Sequence, residues 1–176
     1  KPDFFFFFPK IIAADAQTIL IISSSGTAAA GVTALRAAGY KAQVATLSNN
    51  ASSGFVKSLG NNANGVVVAQ VFPSEKSVSY AFIKEAQDLS RQKDAIISEL
   101  TPANIEGFAA AKVMVEALRR AGAGPGPLTR AKIQTALENI KEFDMGGLKL
   151  GYGVNDRTGL KFADLSVIGA DCKFKR

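Results

Sequence analysis

The sequence predicts an α/β protein with a parallel sheet and flanking helices, and three observations predict it. Apolar runs rich in β-branched residues occur at 18–22, 43–47 and 66–71, each followed by a turn signal. Segments of helical period separate them, so strand, helix, strand, helix, strand follow one another within residues 18–71, the order of a parallel sheet with right-handed crossovers. Beyond them, residues 77–140 read as helix without a dependable strand, and the ratio of helices to strands is wrong for a complete doubly wound domain.

The elements follow in order. Residues 18–22, T-I-L-I-I, run into S-S-S-G-T and read as a strand buried on both faces that enters a turn. A helix over 27–38 puts Ala28, Val32 and Leu35 on one face, with Thr27 as its N-cap and Gly39 as its stop. The second strand ends in S-N-N-A-S-S, a short helix over 53–59 stops at Gly60, and Pro73 closes the third strand. Helices are then expected over 77–91 and 101–121, with a marginal strand at 95–97 between them. The longer helix opens with Thr101 and Pro102, a good N-cap and first-position pair. Its Lys112, Glu116, Arg119 and Arg120 share one stripe and almost everything else is apolar or alanine, so most of its circumference calls for burial. G-A-G-P-G-P at 122–127 ends it, Thr129 caps a further helix to Ile140, and 148–150, 161–168 and 172–174 read as short strands.

Composition narrows the function. At 176 residues and 47% apolar content, the chain suffices for one ordinary domain or for part of a larger two-lobed protein. The net charge of +6 comes from scattered Lys and Arg, concentrated only at Lys173, Lys175 and Arg176. That is a solvated basic surface, not the basic stripe interleaved with aromatics that nucleic acid requires, and no nucleic-acid partner is expected. The single cysteine, Cys172, forbids an internal disulfide and reads as incidental. With no histidine, Ser-His-Asp triads, His-rich zinc sites and Cys-His pairs cannot be built from this chain. G-x-S-x-G and the P-loop pattern are missing, as is G-x-G-x-x-G from the strand-to-helix turn. No enzyme, cofactor or metal is therefore expected. No apolar run approaches the roughly 18 residues that suggest a membrane span, and no signal-peptide pattern occurs, as in a soluble protein or a secreted one already processed.

In open α/β sheets ligands bind beyond the carboxyl ends of the strands, where loop amides and helix N-termini converge. Two such loops exist. Ser24, Ser25, Gly26 and Thr27 follow the first strand, and Ser48, Asn49 and Asn50 follow the second. Serine, asparagine and glycine are also ordinary turn residues, so the chemistry of the loops does not by itself name a site.

Several segments in order resemble one family: A-G-Y-K-A-Q-V-A-T-L-S, G-N-N-A-N-G-V-V-V-A-Q-V-F-P, I-E-G-F-A-A-A-K-V-M-V-E-A-L-R-R-A-G, and F-D-M-G-G-L-K-L-G-Y-G followed by F-A-D-L-S-V-I-G. Over residues 11–176 the chain resembles the C-terminal half of type I periplasmic solute-binding proteins, near the leucine/isoleucine/valine-binding and amide receptors of ABC importers. The resemblance implies a periplasmic binding protein type I fold, two α/β lobes joined by three crossover strands with a solute between them, here incomplete. Residues 1–74 would belong to the second lobe, 75–143 would be helices covering the first lobe's sheet, and 144–176 would return towards the second lobe. The first lobe's strands, with the Ser/Thr loop that grips an amino acid's carboxylate and amino groups, would precede Lys1.

The implied function is non-catalytic capture of an amino acid, amide or similar small polar metabolite, in the periplasm or outside the cell. Its partners would be the solute, the membrane permease of an ABC importer, and the missing N-terminal half or another chain. A ligand-sensing regulatory or receptor module of the same fold is the alternative. By resemblance Ser24, Ser25, Gly26, Thr27, Ser48 and Asn49 line the solute cleft, where relatives often place aromatic or acidic side chains. Small hydroxyl and amide groups point instead to a polar or small solute and put a branched-chain amino acid in doubt. Glu106 matches the glutamate of the family's E-G-Y/F motif, although a solvated acid early in a helix fits it equally. Phe4 to Phe8 fall where the family has an amphipathic helix leading into I-I-A-A-D-A. Neighbours on a helix point about 100° apart, so five consecutive phenylalanines cannot share one buried face, and some must meet a partner, be exposed or be wrongly identified in the sequence.

Overall fold

The computed structural model describes residues 4–92, 94–96 and 100–176, with side chains from Phe6 onward. In chain order the elements are α1 (Phe4–Ala13), β1 (Thr18–Ile21), α2 (Ser25–Ala37), β2 (Gln43–Thr46), α3 (Ser53–Leu59) and β3 (Val67–Gln70). There follow α4 (Ala81–Ser90), α5 (Pro102–Gly122), α6 (Arg130–Glu138), β4 (Phe143–Asp144), β5 (Lys149–Leu150), β6 (Asp164–Ile168) and β7 (Phe174–Lys175). They form two compact units, Lys1–Gln70 with Ala163–Arg176, and Val71–Phe162.

The first unit is a five-stranded sheet in the order β1-β2-β3-β6-β7. Its first three strands run parallel and β6 and β7 are antiparallel, so the expected parallel sheet is completed by two strands of opposite sense. Side chains alternate between sheet faces. On one face Ile21, Thr46, Val68 and Ser166 lie across from one another, flanked by Val44, Val66 and Ile168. Ala28, Ala29 and Val32 of α2 and Phe55, Val56 and Leu59 of α3 close over that face to make the core.

Three sequence expectations change here. Instead of being buried on both faces, β1 is the outermost strand of the sheet, with Thr18 and Leu20 exposed and Ile19 and Ile21 half-buried. Its β-branched run records what one face needs, and position in the sheet decides the other. The helix predicted from Thr27 starts at Ser25 with Ser24 as N-cap, because the Ser24 carbonyl already accepts the Ala28 N–H at 2.8 Å. Strand is absent from Ala95 and Ile96, while the last residue of that predicted strand lies outside the described residues. Gly39 and Gly60 stop their helices as expected, each at positive φ.

The phenylalanine run does form a helix. On α1 Phe6 and Phe7 are exposed and meet edge to face with centroids 5.2 Å apart, and Lys10 Nζ lies 4.7 Å from the Phe6 ring centre. Phe8 and Ile11 are half-buried, while the side chains of Phe4 and Phe5 lie outside the description. Among the described residues no helix is long and apolar enough to cross a membrane.

The second unit is built on α5. Thr101 accepts the Asn104 N–H and the Asn104 side chain answers the Thr101 N–H, a capping box behind Pro102. Ile105, Ala109, Val113, Ala117 and Ala121 recur every fourth residue as its buried stripe, and α5 packs against α4 and α6. Phe82 stacks between Phe72 at 6.0 Å and Phe108 at 5.2 Å. The rest of α5 is less covered than its apolar circumference suggested, with Met114, Val115 and Leu118 exposed. Residues 77–80, predicted as helix, form an irregular bend instead, and α4 begins at Ala81.

The β4–β5 turn sets that start. Gly146 accepts the Phe82 N–H through its carbonyl at 3.0 Å, capping the first turn of α4. Gly146 has φ +117°, and a Cβ there would sit 2.7 Å from the Phe82 nitrogen. Asp144 closes the turn by accepting the N–H groups of Gly146 at 2.8 Å and Gly147 at 2.6 Å, which hold its carboxyl below the usual aspartate range. F-D-M-G-G is thus a turn that only glycine fits, docked on a helix start.

Gly146→Ala is expected to destabilise the protein by about 1–3 kcal/mol through this clash and the positive φ, measured by denaturant unfolding. The depressed Asp144 pKa makes the turn's contribution fully present above the unfolded value of about 3.9, and lost as pH falls through the folded one. Asp144→Asn should therefore lower Tm at pH 7, with the gap to the unsubstituted chain closing as pH falls below the unfolded value and through the depressed folded one.

Candidate functional site

At the carboxyl ends of β1 and β2 the chain gathers hydroxyl and amide groups around one buried side chain. Asn50 is fully buried. Its Oδ1 accepts the Ser25 hydroxyl at 2.8 Å, and its Nδ2 donates to Thr46 Oγ1 at 2.7 Å and to the Ser23 carbonyl at 3.3 Å. Thr46 Oγ1 in turn donates to the Ile21 carbonyl at 2.9 Å, and Asn49 Nδ2 donates to the Ser23 carbonyl at 3.0 Å. A buried amide needs several partners at once, and here they come from both loops, so Asn50 fastens the turn after β1 to the turn after β2.

This fastening fixes the start of α2. Ser24 is its N-cap residue, with φ −63° and ψ 155°, yet its hydroxyl turns to Thr27 Oγ1 at 3.2 Å and caps no helix N–H. The opening N–H groups of α2 therefore have no side-chain cap, and the positive end of the helix dipole faces outward there. Gly26, in that first turn, is exposed, and a Cβ added to it would meet nothing within 4 Å. Ser48 begins a 3-10 turn that Asn49 and Asn50 complete. The cluster contains no ionisable side chain, so it can recognise a ligand only through hydrogen bonds and the helix dipole. Its geometry suits a carboxylate or another small group rich in acceptors.

Six of the seven sequence-predicted residues, Ser24, Ser25, Gly26, Thr27, Ser48 and Asn49, thus lie on these two neighbouring turns. Glu106 belongs to the second unit, exposed about one turn into α5. Asn50, noted from sequence only as a loop residue, turns inward as the organiser. Thr46 was not singled out; its signal was a polar residue two places after Val44, in the buried phase of the strand.

The second unit has a depression of about 400 Å³ lined by Glu85, Phe108, Lys112, Val115, Glu116 and Phe143, among others. Its lysine, arginine and glutamate side chains pair with one another, and Asp144 is taken up by the Gly146 and Gly147 N–H groups. Lys112 pairs with Glu85 at 2.6 Å, and Arg119 and Arg120 hold Glu116 at 2.9 and 2.7 Å, which depresses its carboxyl pKa. Among the described residues no group of three or more histidine, cysteine or acidic side chains could hold a metal ion.

The profile of a family described as periplasmic binding protein matches residues 1–163. No curated protein matches the chain. Among solved structures, it is similar to a substrate-binding periplasmic protein from Ralstonia solanacearum at 32% identity and TM-score 0.72, covering 91% of this chain and 45% of that one. An extracellular ligand-binding receptor from Verminephrobacter eiseniae aligns at 28% identity and TM-score 0.76, over 95% and 46% of the two chains. A possible leucine/isoleucine/valine-binding protein from Rhodopirellula baltica aligns at 25% identity and TM-score 0.75, over 91% and 42%. The chain spans less than half the length of each of these.

Asn50→Ala leaves the Ser25 and Thr46 hydroxyls and the Ser23 carbonyl without their shared partner. A loss of about 1–3 kcal/mol in denaturant unfolding is expected, with faster hydrogen exchange in both turns.

Proposed function

The chain belongs to the periplasmic binding protein family, and on that premise we propose that it is part of a non-catalytic solute-binding protein. The turns after β1 and β2 form one side of its solute site. One observation carries the reading: the uncapped start of α2, with Gly26 open to solvent, held beside Ser48 and Asn49 by the buried Asn50. A carboxylate or amide oxygen of the solute accepts from the α2 amides, while the hydroxyl and amide side chains of Ser25, Thr27, Ser48 and Asn49 select for polarity. The cluster offers neither charge nor aromatic ring. The solute is accordingly an amino acid with a small or polar side chain, an amide or a similar metabolite, in preference to a branched-chain amino acid. The exposed carboxylate of Glu106 is a separate contact, proposed from its match to the family's motif.

The rest of the site comes from polypeptide that the longer relatives possess and this chain does not match. Delivery to the permease of an ABC importer, and a place in the periplasm or outside the cell, complete the proposal. Closure around the solute would be driven by contacts made only in the closed state.

Calorimetry with a panel of amino acids, amides and small carboxylates tests the reading. The 176-residue chain alone is expected to bind none of them at micromolar concentration, and micromolar binding would contradict it. In a polypeptide carrying both halves, Ser24→Asp separates helix from site. A carboxylate at the N-cap should stabilise α2 by about 0.5–1 kcal/mol while repelling an anionic group, so Tm rises and affinity falls about tenfold or more. Unchanged affinity would remove the start of α2 from the site.

A further inference from the structure

The turn that enters β3 sets an exposed side-chain amide beside a backbone nitrogen able to react with it. Asn64 is the one asparagine of the sequence followed by glycine, and Gly65 has no side chain to hinder approach to its own nitrogen. Asn64 is exposed, and among the described residues its side chain makes no hydrogen bond. Val66 donates its N–H to the Ala63 carbonyl at 3.2 Å and Gly65 has φ +83°, so residues 63–66 form a type II turn with Asn64 and Gly65 at its corner.

Gly65 is held at both ends. Its N–H donates to the Ile168 carbonyl of β6 at 2.8 Å, and its carbonyl accepts the side-chain amide of Gln43 from β2. Ile168 is fully buried and returns its own N–H to the Val66 carbonyl at 2.9 Å. The electrophile is therefore free while the nucleophile is tied to a strand far along the chain. A backbone N–H committed to a carbonyl cannot lose its proton and turn on the neighbouring side chain, so reaction waits until β6 lets go. Only the two-residue β7 lies outside β6 in the sheet, which makes this seam one of the easier places for the sheet to open.

We propose that Asn64 is a site of self-modification, deamidation through a cyclic imide, and that the pairing of Gly65 with β6 sets its rate. The Gly65 nitrogen attacks Asn64 Cγ and a new N–C bond forms. The Cγ–Nδ2 bond breaks, and Nδ2 leaves as ammonia with the proton that the Gly65 nitrogen gave up. Water then opens the ring at one of its two carbonyl carbons, giving aspartate or isoaspartate, and nothing is oxidised or reduced. In the isoaspartate product the chain runs through Cγ and is longer by one methylene, just where Gly65 must reach both Ile168 and Gln43. One opening of β6 thus leaves a permanent loosening of the β3–β6 seam. The reaction needs no solute and stands apart from the proposed binding function.

Peptide mapping of the 176-residue chain tests it, after incubation at mildly alkaline pH with and without denaturing urea. In urea Asn64 should deamidate at least tenfold faster than any other asparagine, and in the folded chain at least tenfold more slowly than in urea. Hydrogen exchange supplies an independent measure. Folding should slow Asn64 deamidation and exchange of the Gly65 N–H by factors that agree within about threefold. Ile168→Val, a small trim beneath the seam, should accelerate both together by about two- to tenfold. The isoaspartate form should exchange its Gly65 and Ile168 N–H groups at least tenfold faster than the unmodified chain. Deamidation in urea no faster at Asn64 than at Asn61 or Asn62 would remove the site. Equal rates in folded and unfolded chain, an Ile168→Val effect on one rate without the other, or unchanged exchange in the isoaspartate form would overturn the role of β6.

Discussion

The first unit depends on winding direction. Because β1, β2 and β3 follow one another across the sheet without reversal, both connecting helices are delivered to the same face. The dense core over Val44, Val66, Val68 and Ile168, the outer position of β1 and the open row from Leu20 to Val167 all follow from that constraint. A parallel sheet is normally covered on both sides. Half-covering is therefore a property of this connection order.

The covered face is not purely apolar, and the way it handles its polar groups links packing to the proposed function. Thr46, Asn50, Gln70 and Ser166 are buried. Gln70 donates to Ser166 Oγ at 2.7 Å, Ser166 donates to the Val68 carbonyl at 3.2 Å, and Thr46 and Asn50 bridge the turns after β1 and β2. Among the described residues no buried side-chain polar atom lacks a partner. A buried amide fully committed to the scaffold is costly to move, and its cost is what holds the start of α2 in place. The residues offered as ligand contacts can then be small and uncharged, because their positions, rather than their charge, supply the recognition.

The second unit shows the same division of labour in a helical setting. Backbone geometry at Gly146 and the carboxylate of Asp144 fix where α4 begins, and α4 brings Phe82 between Phe72 and Phe108. The resulting core is independent of the sheet core, with its own stripe from α5 and its own hairpin. Two separate cores in one chain of this length leave each with a large surface relative to its volume. The exposure of Val115 and Leu118 on α5 belongs to the same picture as that of Leu20 and Leu165.

Local signals determined much by themselves. The strand runs, the stops at Gly39 and Gly60, the Thr101 and Pro102 opening of α5, the α/β class and the family were legible from sequence. Each rests on periodicity, backbone conformation or motif order within short stretches. The polar turns after β1 and β2 were legible as candidates, since strand-to-helix turns lie together in a parallel sheet. Tertiary structure alone decided that β1 is outermost, that two strands run antiparallel and that Asn50 faces inward to organise the turns. Those outcomes depend on which neighbour a strand finds and which carbonyl an N–H reaches, contacts between residues far apart in the chain that no local pattern encodes.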